Sequence, residues 1–255
     1  MKIATWNVNS LKVRLQHVVE WLGAASPDVL VMQEIKQVTE AFPADTFREL
    51  GYHSVASGQK TYNGVAIASK IPPKDHLLEI PGLDDPQRRV LATTIGGIRV
   101  INLYVPNGSS VGSEKYDYKL AWLAALRDFL EDELANHPKL VVLGDFNIAP
   151  DDRDVYDPVK WGDDILCSPA ERAALKRLCE LGLTDVFRKF DQPEACFSWW
   201  DYRAAGFRRN AGLRIDLILA SQAMTEACTM STIDREPRTW ERPSDHTPVI
   251  AEFAV

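Results

Sequence analysis

The chain has 255 residues, 45% hydrophobic and 25% charged, with a formal net charge of -7. That length and mix suit one large globular domain or two small ones, and no apolar run is long enough to span a bilayer. The acidic balance argues against a surface that binds polyanions everywhere, yet it leaves room for a local basic rim beside an acidic site.

The first residues, Met1 to Asn7, read as a strand rather than a signal peptide. Cys167, Cys179, Cys196 and Cys228 are scattered, with no CxxC pair. They fit neither a zinc site nor a disulfide framework, so reduced thiols in a cytoplasmic protein are expected.

Lys2 to Val8 is the first predicted strand, ending in Asn7-Val8-Asn9. Ser10 is placed to cap a helix from about Leu11, with Leu11, Leu15, Val18, Val19 and Leu22 on one face. After Pro27, Asp28 to Met32 forms a second strand that ends at Gln33-Glu34-Ile35-Lys36. A short helix is expected around Asp45 to Leu50, then a strand pair, Tyr52 to Ser57 and Gly64 to Ser69. Val90 to Ile95 and Ile98 to Val105 flank Gly96-Gly97, a strong hairpin signal. A long amphipathic helix follows, with Tyr116, Leu120, Leu123, Leu126, Leu130 and Leu134 on its apolar face.

Leu140 to Leu143 is four apolar residues closed by Gly144, a buried strand too short for a helix. Asp145 and Asn147 follow two residues apart. If the chain stays extended through Phe146, both polar side chains face one way and Phe146 faces the core. The pair either closes the strand as an Asx-turn or opens an active site. Residues 149–164 are too polar and proline-rich for regular structure. Ser168-Pro169-Ala170-Glu171 is a capping box with proline at the first helical position, starting a helix to about Leu181. Phe197 to Gly212 is aromatic and basic, and Leu213 to Ala220 is a strand with Asp216 inside it. A strand near Thr229 to Ile233 and a last one from Val249 to Phe253 complete the chain. Hairpin turns and helices both join strands, so the expectation is one domain, residues 1–255, with two mixed, largely antiparallel sheets packed together and helices outside.

The polar residues at strand ends are Asn7, Asn9, Glu34, Tyr104, Asn107, Asp145, Asn147, Asp216, Asp245 and His246. Singly, each has an ordinary reading: a cap, a solvated strand end, a core tyrosine, an Asp216–Arg214 pair or a loop histidine. Together they supply a chemistry. Glu34 with a carboxamide or second carboxylate suits a hard divalent cation, whereas one histidine among several carboxylates argues against zinc. A buried aspartate would orient His246 and stabilise its charged form. Tyr104, Asn147 and the cation would stabilise charge on a phosphoryl oxygen.

Six segments carry a resemblance: Ala4 to Asn9, Gln33 to Lys36, Asn102 to Gly108, Gly144 to Asn147, Gly212 to Asp216 and Ser244 to His246. In this order the chain resembles the exonuclease III-type apurinic/apyrimidinic endonucleases of the endonuclease/exonuclease/phosphatase superfamily. The resemblance spans essentially the whole chain. It implies a four-layer α/β sandwich, two packed mixed sheets flanked by helices, and phosphodiester cleavage that depends on Mg²⁺, with Mn²⁺ substituting. By motif, Glu34 becomes the main metal ligand with Asn7 close by, and Asp245 a further metal-site carboxylate. Asp145 prepares the attacking water, Asn147 positions the phosphate, and His246, oriented by Asp216, contacts it. Tyr104 lies against phosphate or leaving group. Substrate contacts are expected from Asn9, Lys36, Asn107, Trp199, Arg208, Arg209, Leu213 and Ile215.

The shared superfamily elements imply a reaction type; the substrate reading rests on Phe197 to Ile215, which resembles the DNA-repair branch. There, arginines grip backbone phosphates and bulky side chains fill the space a base vacates. The implied partner is duplex DNA with abasic sites or damaged or recessed 3′ ends, bound by a cytoplasmic monomer. Two other readings stay open: a lipid or inositol phosphodiesterase of the same superfamily, and a silent nucleic-acid-binding module. Against the second, unpaired buried carboxylates are costly to keep. The balance of abasic incision, 3′ end cleaning and 3′→5′ degradation, and the number of metal ions, are left open by the motifs.

Overall fold

The structure is a computed structural model and describes all residues, Met1 to Val255. In chain order the strands are β1 (Lys2–Asn7), β2 (Val29–Gln33), β3 (His53–Ser57), β4 (Val65–Ser69), β5 (Lys74–Leu77), β6 (Val90–Ile95), β7 (Ile98–Tyr104), β8 (Leu140–Asp145), β9 (Thr184–Asp185), β10 (Asp216–Ala220), β11 (Cys228–Ile233) and β12 (Val249–Phe253). The helices are α1 (Leu11–Ala25), α2 (Ala44–Glu49), α3 (Glu114–Asn136), α4 (Pro158–Trp161), α5 (Pro169–Cys179) and α6 (Gln222–Ala227).

The strands form two six-stranded sheets, ordered β11-β12-β1-β2-β4-β3 and β5-β6-β7-β8-β10-β9. Pairing is antiparallel except for β1 with β2 and β7 with β8. Alternation along each strand sets the layers. Val29 and Val31 of β2 enter one core with Val141 and Leu143 of β8, between the sheets. Leu30 and Met32 face the other way, against Val18 and Leu22 of α1 and Phe47 of α2. Val142 of β8 turns outward onto Trp122 and Leu126 of α3 and Leu175 of α5. The result is the expected four-layer sandwich: helices, sheet, sheet, helices.

Local signals behave as their chemistry demands. Gly96 and Gly97 take φ +58° and +82°, the left-handed pair that a two-residue hairpin turn requires. Ser168 and Glu171 make both bonds of the capping box ahead of α5. Other expectations shift. Ser10 precedes α1, but its side chain makes no cap bond; its N–H donates to Glu34 O at 2.7 Å. Residues 149–164 contain the short helix α4 and a 3₁₀ turn at Asp152–Asp154. Asp216 begins β10 instead of lying within it. The amides of Ile215 and Asp216 both donate to Ser198 Oγ at 3.1 Å, which removes them from a sheet ladder. Arg214 turns away from Asp216 and pairs with Asp154 and Asp185. The four cysteines are free thiols, and no helix is long and apolar enough to cross a membrane.

Gly144 is the tightest point of β8. Its φ is +149°, and a Cβ there would lie 1.9 Å from the carbonyl oxygen of Leu103, its partner on β7. Gly144→Ala is therefore expected to cost at least about 2 kcal/mol of folding stability. Denaturant unfolding checks this, and near-parental stability would mean that β7 and β8 part locally at little cost.

Candidate active site

The register of the sheets assembles the site. β1 and β2 run parallel, with Asn7 opposite Gln33, so Asn7 and Glu34 leave the first sheet together. In the second sheet Tyr104 and Asp216 both lie opposite Asp145, one on each side. Three functional side chains thus form a row across β7, β8 and β10. The last loop closes over them: Ser244 Oγ donates to Asn7 O at 2.7 Å, and Trp6 Nε1 donates to His246 O at 3.3 Å.

The two sheets meet at Asn7. Its Nδ2 donates to Glu34 Oε1 at 2.9 Å and to Asp145 Oδ2 at 2.9 Å. His246 Nδ1 lies 2.9 Å from Asp216 Oδ2, and its Nε2 lies 3.7 Å from Asp145 Oδ2. Asn147 N–H donates to Asp145 Oδ1 at 2.9 Å, and Asn147 Nδ2 donates to Val105 O at 3.0 Å. Asn107 Nδ2 then donates to Asn147 Oδ1 at 3.2 Å. The Tyr104 ring sits under the Arg89 guanidinium, 4.7 Å from its centre.

Burial decides the charges. Loss of water pushes the Asp145 carboxyl up to about 7; His246 opposes the shift, and Asp216 and Glu34 add to it. Burial alone would strip the proton from His246, but the carboxylates of Asp216 and Asp145 outweigh it and hold the imidazolium to about 10. The Tyr104 phenol is raised well above its ordinary value by burial and by Glu34 and Asp145, so it stays a neutral donor. A carboxylate with an enhanced proton affinity beside a stable imidazolium can take a proton from water while the imidazolium faces an anion.

Ligand atoms of Glu34, Asp145 and His246 lie within 4.8 Å of one another. The donor set is two carboxylates against one imidazole that Asp216 already engages, which fits a hard, oxygen-seeking divalent cation. The burial that raises Asp145 says the same: its negative charge lacks full compensation from the protein.

A family model described as the endonuclease/exonuclease/phosphatase family matches residues 4–246. The chain belongs to that family. An exodeoxyribonuclease III of Haemophilus influenzae is 40% identical, over 99% of this chain and 100% of that protein. A 3′ phosphatase from Neisseria, solved with a product DNA hairpin, is 53% identical with a TM-score of 0.98 and full coverage of both chains. An AP endonuclease from Archaeoglobus fulgidus is 42% identical with a TM-score of 0.96, again over the whole of both chains.

Within this member of the endonuclease/exonuclease/phosphatase family, some expected positions sit differently. Asn7 turns its amino group to the carboxylates and bridges them as a donor, and its Oδ1 accepts from the Asn9 N–H at 3.0 Å. Asp245 stands outside the Glu34–Asp145–His246 cluster. Its oxygens accept from Asn9 Nδ2 at 2.9 Å and Trp199 Nε1 at 3.1 Å, so it anchors the aromatic loop. Lys36 lies 2.7 Å from Glu34 Oε2 and 2.6 Å from Asn9 Oδ1. Arg208 and Arg209 are exposed, and Arg209 lines a cavity of about 330 Å³ with Tyr156, Trp161 and half-buried Trp199.

Leu213 and Ile215 do not wall that cavity. They are 0% and 1% exposed and pack below Trp199, with Ala149, Val155, Leu166 and Cys167. The cause is local: Leu213 bridges to both Trp199 and Val155 through its backbone, which carries its side chain inward. Sequence reasoning missed Ser198, which holds the turn before Asp216, and Arg89 over Tyr104. A serine in an aromatic run gives no signal of its own; an arginine just before an apolar strand gives a faint one.

Because Leu213 is core, Leu213→Ala is expected to cost about 2–5 kcal/mol of stability through lost burial and a cavity. Equilibrium unfolding checks it; a loss below about 1 kcal/mol would fit an exposed wall instead.

Proposed function

We propose that this chain acts as one domain, a Mg²⁺-dependent DNA-repair nuclease working on duplex DNA. It incises on the 5′ side of abasic sites, leaving a 3′-OH, and removes phosphate esters and nucleotides from 3′ ends. One observation carries the reading: Asp145, nearly devoid of water, holds Asn7 from the opposite sheet at 2.9 Å and faces a His246–Asp216 pair at 3.7 Å. That is an arrangement for taking a proton from water beside a positively charged phosphate contact.

In this reading Asp145 orients the attacking water and accepts its proton. His246, kept charged and aimed by Asp216, meets a phosphoryl oxygen. Asn147 and Asn107 donate to the phosphate, and the neutral Tyr104 phenol donates to charge developing on the leaving side. Glu34 would hold the cation, which when bound draws negative charge from the phosphoryl oxygens. The cavity beside Trp199 supports selection of an altered nucleotide, since its aromatic lining offers stacking surface where a base is displaced or absent. Arg203 and Arg209 at its rim suit backbone phosphates.

The test is one purified-protein assay on abasic duplex, 3′-phosphate duplex and intact recessed 3′ ends, with Mg²⁺ and with excess EDTA. Turnover of the first two with Mg²⁺, and none with EDTA, is expected; full activity in EDTA overturns the metal reading. Asp145→Asn and His246→Asn should each lower the rate by ~10²–10⁴-fold, with a much smaller change in DNA affinity. Near-parental turnover in either variant removes that residue from the mechanism.

Despite the net charge of -7, DNA binding should weaken steeply with salt. Arg208→Ala combined with Arg209→Ala should flatten the log–log salt slope by about one to two units. An unchanged slope places both arginines off the DNA backbone.

A further inference from the structure

The apolar stripe of α3 contains a lysine. Tyr116, Lys119, Leu123, Leu126 and Leu130 all lie on its buried side, and Lys119 is 0% exposed. A fully buried lysine is rare unless its charge is paired. Burial pulls the Lys119 ammonium below the usual lysine range, and Glu171 works against that pull.

All three of its donor directions are used. Nζ donates to Asn147 O at 2.7 Å, to Asn107 O at 3.1 Å and to a Glu171 carboxylate oxygen. Glu171 is 0% exposed and is itself fixed by Ser168 N–H at 3.1 Å, Ser168 Oγ at 2.7 Å and Leu166 N–H at 3.2 Å. Gly108 lets the loop lie close: a Cβ there would come 3.1 Å from Lys119 Cδ. One ammonium thus ties the backs of two loops whose front faces carry Asn107 and Asn147, already joined by a 3.2 Å bond.

We propose that Lys119 is a positioning residue for catalysis, clamping the Asn107 and Asn147 loops from behind so that both carboxamides face the phosphate. The proposal rests on the nuclease reading above for what those carboxamides bind, but the clamp itself does not. The two loops leave adjacent parallel strands, β7 and β8, and Asn147 Nδ2 ties them in front by donating to Val105 O at 3.0 Å, but only Lys119 Nζ reaches the Asn107 and Asn147 carbonyls together from behind. Asn147 also sits at φ +49°, a left-handed turn that asparagine tolerates, so its own backbone preference does not fix its carboxamide and the bonds around it must. The lysine reaches both carbonyls from a rigid helix, which is the kind of support that keeps contact groups within tenths of an ångström. An apolar residue of the same length would fill the space and leave both carbonyls free to tilt.

The experiment removes the ammonium without leaving an unpaired buried charge. Lys119→Met is made in a Glu171→Gln background, and each step is repeated with Asn147→Ala. On 3′-phosphate and abasic duplexes with Mg²⁺, Lys119→Met should lower kcat/KM by about tenfold or more, and by less than about twofold once Asn147 is alanine. Equal factors in the two backgrounds would mean that Lys119 does not act through Asn147, and no loss in either would remove it from the reaction. The second readout needs no turnover. Amide hydrogen exchange should quicken by about tenfold in residues 105–109 and 145–149 while Val141 to Leu143 stay protected. Equal quickening in Val141 to Leu143 would show general loosening and overturn the clamp. If the parent cleaves no DNA, the nuclease reading fails while the exchange arm still judges the clamp.

Discussion

The structure depends on how one buried carboxylate is kept. Asp145 is 1% exposed, so bulk water solvates it little. Its oxygens are satisfied from two directions: Asn147 N–H from its own turn, and Asn7 Nδ2 from the other sheet. A buried acceptor that loses its donor forfeits more than the bond is worth, because its desolvation is then uncompensated. The sheets therefore cannot slide without exposing or orphaning Asp145. The burial that makes this contact necessary for the fold also raises the proton affinity of the group expected to accept a proton, while the bond from Asn7 holds part of that rise back.

A second polar bridge crosses the otherwise apolar interface between the sheets. Asn102 on β7 donates to Met32 O and Ala66 O, each at 2.9 Å, and accepts from Gln33 Nε2 at 2.8 Å. Gln33 immediately precedes Glu34, and Asn102 lies two residues before Tyr104. Hydrophobic contacts between Val, Ile and Leu are non-directional and tolerate small displacements. Directed bonds from a carboxamide to two strands of the facing sheet do not. Glu34 and Tyr104 belong to opposite sheets, so this bridge sets their separation. The division of the site between two sheets is tolerable because polar contacts lock the sheets together just behind it.

The layers were legible from the sequence because alternation and turn chemistry are local. The Gly96-Gly97 hairpin, the Ser168–Glu171 box and the buried strand before Asp145 each declare themselves within ten residues. The strand ends that carry polar side chains were legible for the same reason. What the sequence leaves unread is whatever depends on partners distant in the chain. The amide of Asp216 is taken by Ser198 and Arg214 is taken by Asp154, so the strand begins later than its apolar run suggests. Asp245, expected as a further metal-site carboxylate, also accepts from Asn9 and Trp199, two partners that its local sequence does not announce. Leu213, expected to contact substrate, follows an aromatic, basic stretch, and its backbone bridges to Trp199 and Val155 turn it inward. Lys119 left a trace, a charged residue at core spacing, that only the two carbonyls it meets could explain.

Backbone conformation ties these threads together. Asn9, Glu34, Lys36 and Asn147 all have positive φ, at +41°, +52°, +52° and +49°. For residues with a Cβ this region is sparsely populated, least so for asparagine, and the cost, of order 1–3 kcal/mol for the others, must be offset by the surroundings. Four in one site are held by specific bonds. Ile35 and Lys36 N–H donate to Gly64 O and Asn63 O, Ser10 N–H to Glu34 O, and Asn147 N–H to Asp145. The turns after β1, β2 and β8 are therefore not loose connections that happen to carry polar groups. They are bent sharply at the strand ends so that successive side chains reach one point, and neighbouring turns stabilise each other. A site built this way needs little rearrangement when charge develops on a phosphate, which is the condition under which fixed donors lower a barrier most.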